Sequence, residues 1–138
     1  MTSSIPLQRF TNRTVIVTGG GSVFGETICR AFAAEGAAVV VAGRNGDSVE
    51  RVAGSLPQAI AVTVDVTDED QNKAMADAAV SAFGSIDVVC PNAGGAHPSM
   101  PLVDMSVQQF DQMFALTRAA CSWRPNTTPR ICPMVGPS

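Results

Sequence analysis

The stretch Thr14-Val15-Ile16-Val17-Thr18-Gly19-Gly20-Gly21-Ser22-Val23-Phe24-Gly25 decides how this chain is read. A run of β-branched residues favours a short buried strand, and the glycines that follow impose a turn. From Phe24 to Glu35, apolar Ile28, Phe32 and Ala33 recur at helical spacing, and Gly36 supplies a stop. A strand that passes through a glycine turn into a helix presents main-chain N–H groups and a helix N-terminus, which suit a phosphate. No Gly-Lys-Ser/Thr follows, so this is not a Walker loop. Phe24 stands where a GxGxxG pattern starting at Gly19 needs its third glycine. A tight turn that binds nothing has the same local sequence, so the rest of the chain has to decide.

Outward from that stretch, a second apolar run spans Ala38 to Ala42 and ends at the turn Gly43-Arg44-Asn45-Gly46. Asp47 or Ser48 then caps a short helix through Leu56, before Pro57. A third strand is predicted from Ala59 to Val66. Thr67 is the expected cap of the next helix, with Asp68, Glu69 and Asp70 in its first turn, where carboxylates suit the dipole. Ala74, Met75, Ala78, Ala79, Ala82 and Phe83 give that helix its apolar stripe, up to Gly84. Ile86 to Cys90 is a fourth strand, broken by Pro91-Asn92-Ala93-Gly94-Gly95. After a loop, Ser106 can cap a helix starting at Val107. The order is β-α-β-α-β-α-β-loop-α. Strands that are continuous apolar runs belong to a sheet covered on both faces, and right-handed crossovers make it an α/β, doubly wound parallel sheet.

The chain has 138 residues, one domain's length or one domain cut short, with 46% hydrophobic and 15% charged residues. That composition supports a buried core and excludes wholesale disorder, collagen and coiled coil. A net charge of -3 argues against nucleic acid as a partner, which demands clustered cations. No apolar run is long enough for a membrane helix, and MTSSIPLQRF lacks a signal-peptide pattern, so a cytoplasmic location is expected. Cys29, Cys90, Cys121 and Cys132 form no CxxC pair and share no spacing with His97, the one histidine. No metal site is expected, and the thiols are expected to be free. From Cys121 to Ser138, prolines at 125, 129, 133 and 137 forbid a helix, so residues 1–120 read as the domain and 121–138 as an irregular Pro-rich tail.

The glycine turn resembles the TGxxxGxG signature of the short-chain dehydrogenase/reductase family. Asp65-Val66, which the family places against the adenine, and Asn92-Ala93-Gly94, its Asn-Ala-Gly motif, follow in register, and Phe110-Asp111 opens the helix that carries a family asparagine. The resemblance covers roughly residues 10 to 120. It implies a Rossmann-like fold, incomplete here, that binds a nicotinamide dinucleotide and takes part in redox chemistry of a small-molecule carbonyl or secondary alcohol. The residues it places on the cofactor are Gly19, Ser22, Phe24, Arg44, Asp65, Val66, Asn92 and Gly94. Members that prefer NAD usually hold an acid at the end of the second strand for the ribose 2′-hydroxyl. Here Gly43 takes that place and Arg44 follows, and a guanidinium pairs well with a 2′-phosphate. NADP is therefore the expected cofactor, in preference to NAD.

Five departures qualify the resemblance. Val23 takes the place of the family's middle glycine, adding bulk near the expected phosphates, with added strain if the position needs a positive φ. Phe24 replaces a smaller apolar residue, and Pro91 stands where the family commonly has an asparagine. Thr117 stands at the family asparagine. The family's chemistry uses a serine and a tyrosine followed four residues later by a lysine, whose charge lowers the phenol's pKa. This chain contains no tyrosine, and its one lysine, Lys73, falls on the third helix; His97 has no evident orienting partner. No catalytic residue is therefore assigned.

The pattern suggests a truncated product, with a frameshift between about Thr117 and Cys121. The arginine-rich, lysine-poor composition hints at a GC-rich gene, whose out-of-frame stretches encode Pro, Arg and Ser. Two rival expectations are a non-catalytic nucleotide-binding or interaction module, forming a homo- or hetero-oligomer through its sheet edge, and a degenerate product that folds poorly.

Overall fold

A computed structural model of the protein describes residues 7–94 and 100–122, with side chains described except for Leu102 and residues 116–122. Four parallel strands, β1 (Thr14–Thr18), β2 (Ala38–Gly43), β3 (Ala59–Thr63) and β4 (Val88–Pro91), lie in the order β3-β2-β1-β4. The helices are α1 (Val23–Ala34), α2 (Gly46–Gly54), α3 (Glu69–Phe83) and α4 (Val107–Ser122).

All of β1 and most of β2 is buried. Alternate residues feed two separate cores, as the two-residue repeat of a strand requires. Val15, Val17, Val39 and Val41 pack with Cys29 and Ala33 of α1 and with Val49 and Val52 of α2. Ile16, Val40 and Ala42 face the other way, against Met75 and Ala79 of α3 and Val64, Val66 and Ile86. A sheet with helices on both faces is the doubly wound arrangement expected from its apolar strands.

Strands β1, β2 and β3 step outward on one side, and β4 then returns to the other side of β1. The strand order therefore reverses between β1 and β4, which opens a crevice beyond the carboxyl ends of these strands. At the opposite, amino end of the same pair, Asp87 ties β4 to β1 by accepting from the Thr14 N–H at 2.8 Å and from Arg13 at 3.1 Å.

Several boundaries differ from expectation, each for a local reason. Helix α1 starts one residue early, because the Ser22 hydroxyl accepts from the Gly25 N–H and makes Ser22 the cap. Asn45, not Asp47 or Ser48, caps α2, its Oδ1 accepting from the Ser48 N–H at 3.1 Å. Strand β3 ends at Thr63 rather than Val66, and Asp68 rather than Thr67 caps α3. Thr67 instead donates its N–H and hydroxyl to Asp65 Oδ1, closing a turn that pulls the chain off the sheet. Strand β4 runs from Val88 to Pro91 rather than from Ile86 to Cys90. Ser106 caps α4 as expected, in a reciprocal box with Gln109. Helix α4 continues to Ser122, two residues past the expected domain limit; the prolines of the tail and His97 lie outside the described residues.

Candidate nucleotide-binding site

The glycine turn is built by short-range hydrogen bonds and one close approach. Gly19 has φ +65, a conformation that glycine adopts without penalty. Its carbonyl accepts from the Ser22 N–H at 3.1 Å and the Ser22 hydroxyl at 2.8 Å. A Cβ at Gly25 would overlap that same carbonyl oxygen, so only glycine lets α1 sit this close to the turn. The Gly20 N–H donates to Ala42 of β2 at 2.9 Å. The N–H groups of Gly21, Val23 and Phe24 make no hydrogen bond among the described residues, leaving three donors at the mouth of α1.

The loop after β4 is tied to this turn. The Thr18 hydroxyl accepts from the N–H groups of both Asn92 and Ala93 at 3.1 Å, and the Asn92 side-chain amide donates to the Gly19 carbonyl at 3.3 Å. Together with the ends of β2 and β3 these loops enclose a cleft of about 300 Å³, near the lower end of small-molecule sites. Gly19, Gly21 and Ser22 form one wall, Gly43, Arg44, Asn45 and Ser48 a second. Val64 and Val66 lie on the β3 side, Asn92, Ala93 and Gly94 on the β4 side.

Six of the eight expected contact residues therefore meet at one cleft: Gly19, Ser22, Arg44, Val66, Asn92 and Gly94. Phe24 and Asp65 are not among its lining residues. The Phe24 side chain is 79% exposed on α1. The Asp65 carboxyl is held below the usual range chiefly by the Thr67 hydroxyl and N–H, with a further contribution from the positive charge of Arg44. Arg9, Arg13, Arg30 and Arg51 each pair with a carboxylate, whereas Arg44 forms no ion pair among the described residues. An unpaired guanidinium beside a glycine is an anion-seeking group with room around it.

Val23 departs from expectation in two respects. It is the first residue of α1 and its φ is not positive, so the feared backbone strain is absent. Its side chain is 82% exposed and does not line the cleft. Lys73 is exposed on α3, also away from the lining residues. Cys29 and Cys90 are free, and burial pushes the Cys29 thiol up to about 12, so it stays protonated and unreactive. Among the described residues no group of His, Cys, Asp and Glu could hold a metal, and no helix is long and apolar enough to cross a membrane.

Sequence reasoning missed Thr18, Gln71 and Asn72. Thr18 reads as one more strand residue, yet its hydroxyl joins two loops. Asn72 is buried in α3 and donates to the Val66 carbonyl at 2.8 Å. A polar residue on the buried stripe of an otherwise apolar helix face is the signal that would have found it.

Comparison with known proteins agrees with this geometry. The chain is 38% identical over 104 residues to meso-2,3-butanediol dehydrogenase of Serratia marcescens, which covers 74% of this chain and 41% of that protein. It is 40% identical over 113 residues to cis-4-hydroxycyclohexanecarboxylate dehydrogenase of Sinomonas cyclohexanicum, covering 79% and 45%. Among solved structures, 3-ketoacyl-(acyl-carrier-protein) reductase from Brucella melitensis, complexed with NADH, superposes with a TM-score of 0.77 at 33% identity, covering 81% of this chain and 46% of the reductase. The chain thus spans less than half the length of these relatives. The family profile described as short chain dehydrogenase matches residues 13–123, and this chain belongs to that family.

Proposed function

We propose that this chain is the nucleotide-holding part of an NADP(H)-dependent oxidoreductase acting on a small-molecule carbonyl or secondary alcohol in the cytoplasm. The observation that carries the reading is Arg44, unpaired at the cleft wall beside Gly43, which offers no carboxylate to a ribose 2′-hydroxyl. NADP(H), when bound, supplies or accepts the hydride. The chain's own residues bind and orient it. The N–H groups of Gly21, Val23 and Phe24 meet the pyrophosphate, with Ser22 and the close-packed Gly19 shaping the turn. Arg44 meets the 2′-phosphate, Asp65 and Val66 the base, and Asn92 and Gly94 the ribose side.

With no tyrosine in the sequence, no residue here fits the family's proton donor. The chain is expected to bind the dinucleotide without turning it over on its own. Arg44→Ala tests the assignment. It should weaken NADPH binding by about tenfold or more and leave NADH unchanged; equal losses for both nucleotides would remove Arg44 from the 2′-phosphate.

One observation favours association with another copy or a relative: among the described residues β4 pairs only with β1, leaving its other edge open. Light scattering on the purified chain checks this, with a strictly monomeric mass counting against it.

A further inference from the structure

Asn45 and Gly46 join the wall of the cleft to the first turn of α2. Of the five asparagines in the sequence, Asn45 alone is followed by glycine. It is exposed and lines the cleft, and its neighbour Arg44 forms no ion pair among the described residues. Its Oδ1 accepts from the Ser48 N–H, and its main-chain carbonyl from the Val49 N–H, both at 3.1 Å. The side-chain nitrogen Nδ2 has no partner among the described residues. Gly46 is the first residue of α2, so its N–H is one of the donors a helix leaves unsatisfied, and no side chain shields the nitrogen.

An asparagine side chain is an amide within reach of the next residue's main-chain nitrogen. Attack of the Gly46 nitrogen on Asn45 Cγ forms a C–N bond and closes a five-membered ring. The Cγ–Nδ2 bond breaks, and Nδ2 leaves as ammonia with the proton from Gly46. Water then adds to one of the two ring carbonyls and reopens the ring, to aspartate or to its main-chain isomer. Either product carries a carboxylate where Asn45 had a neutral amide. Closure turns Asn45 from its ψ of 103, against the Ser48 and Val49 bonds. Both bonds lie in the first turn of a nine-residue helix, where local opening costs least.

We propose that Asn45 is a site of spontaneous deamidation, and that the carboxylate it gains takes up the free charge of Arg44 and turns the cleft against phosphate. Aspartate caps a helix as well as asparagine does, and its charge suits the helix N-terminus, so the fold survives the change. A phosphate that meets Arg44 then faces a like charge in the same wall. The modification itself needs only Asn45 and Gly46. Its effect on binding rests on the nucleotide-holding reading above and adds a slow, one-way control of that site.

The test incubates the full chain at mildly alkaline pH, with and without saturating NADPH, and follows each asparagine by peptide mass spectrometry. Asn45 should convert ahead of Asn12, Asn72 and Asn92, and NADPH should slow it by pinning the first turn of α2. Asn45 keeping its amide, or converting no faster than the others, overturns the site. Asn45→Asp supplies the aspartate product directly. It should bind NADPH about tenfold more weakly than the parent, leave NADH within about twofold, and melt no lower. Unchanged NADPH affinity in Asn45→Asp overturns the effect on binding while leaving the nucleotide-holding reading intact. Binding of neither nucleotide to the unsubstituted chain overturns that reading and the effect on binding with it, and the mass measurement still decides the site.

Discussion

The side-chain amide of Asn92 donates to the main-chain carbonyl of Gly19 at 3.3 Å, closing a contact between residues 73 apart in sequence. That bond joins the glycine turn after β1 to the loop after β4, the two segments on either side of the point where strand order reverses. It explains why an Asn-Ala-Gly sequence so far down the chain accompanies a glycine turn near its start. Asn92→Ala should lower stability by about 1 kcal/mol in urea denaturation, because Ser22 still supplies two donors to the same carbonyl. It should also weaken NADPH binding, since the cleft loses the tie between two of its walls. A variant matching the parent in both respects would show that the Thr18 bonds alone hold the loop.

Gly25 tests the close approach of α1 to the turn. A methyl group there would overlap the Gly19 carbonyl oxygen, which the surrounding bonds to Ser22 and Asn92 hold in place. Gly25→Ala should cost at least about 1–3 kcal/mol, the range for forced overpacking, read as a lower melting temperature. A melting temperature equal to the parent's would mean that the helix shifts without penalty.

Val23 stands at the first helical position with its side chain exposed, beside the unpaired N–H groups of the α1 mouth. Its backbone is unstrained and its side chain does not line the cleft, so the bulk expected near the phosphates stays outside it. Val23→Gly should therefore leave NADPH affinity within about twofold of the parent. A gain of about tenfold, or roughly 1.4 kcal/mol, would show that the valine obstructs the phosphate path.

Glu26 links two helices by accepting from Arg30 of α1 and Arg51 of α2, at 2.8 and 2.9 Å. The Arg51 and Arg30 hydrogen bonds hold its carboxyl down at about 2, from an ordinary 4.5. A folded-state pKa below the unfolded one means that the folded chain releases this proton more readily. The stabilisation is fully present above the unfolded value and is lost as pH falls toward 2. Glu26→Gln should melt below the parent at neutral pH, and the gap should narrow steadily between pH 5 and pH 2. Added salt should shrink it too, because the pair is solvent-screened. A pH-independent gap would assign the effect to packing.

Much of this was legible in the sequence because the strands are unbroken apolar runs and the glycines are few in meaning. Val15, Val17 and Ile16 had to be buried on both faces, which fixed a parallel sheet covered by helices. Gly19, Ser22, Asn92 and Gly94, each in a short motif at a strand end, could be singled out from the sequence, and the fold brings them to one cleft. Caps were harder, since Asn45, Asp47 and Ser48 are all competent and only the turn geometry selects Asn45. Asp65 and Thr67 looked like strand end and helix cap; their mutual hydrogen bonds make them a turn instead. Gln71 and Asn72 carried no motif, because what they hold is main chain six residues away. Phe24 was expected to contribute mainly its N–H, and that N–H has no partner among the described residues while the side chain is exposed.

The proposed NADP(H) site takes its preference for the 2′-phosphate from Gly43 and Arg44. Direct calorimetric titration of the purified chain with NADPH and with NADH tests it. NADPH should bind in the roughly micromolar range and at least about tenfold tighter than NADH. Equal affinity for the two, or tighter NADH, would contradict it.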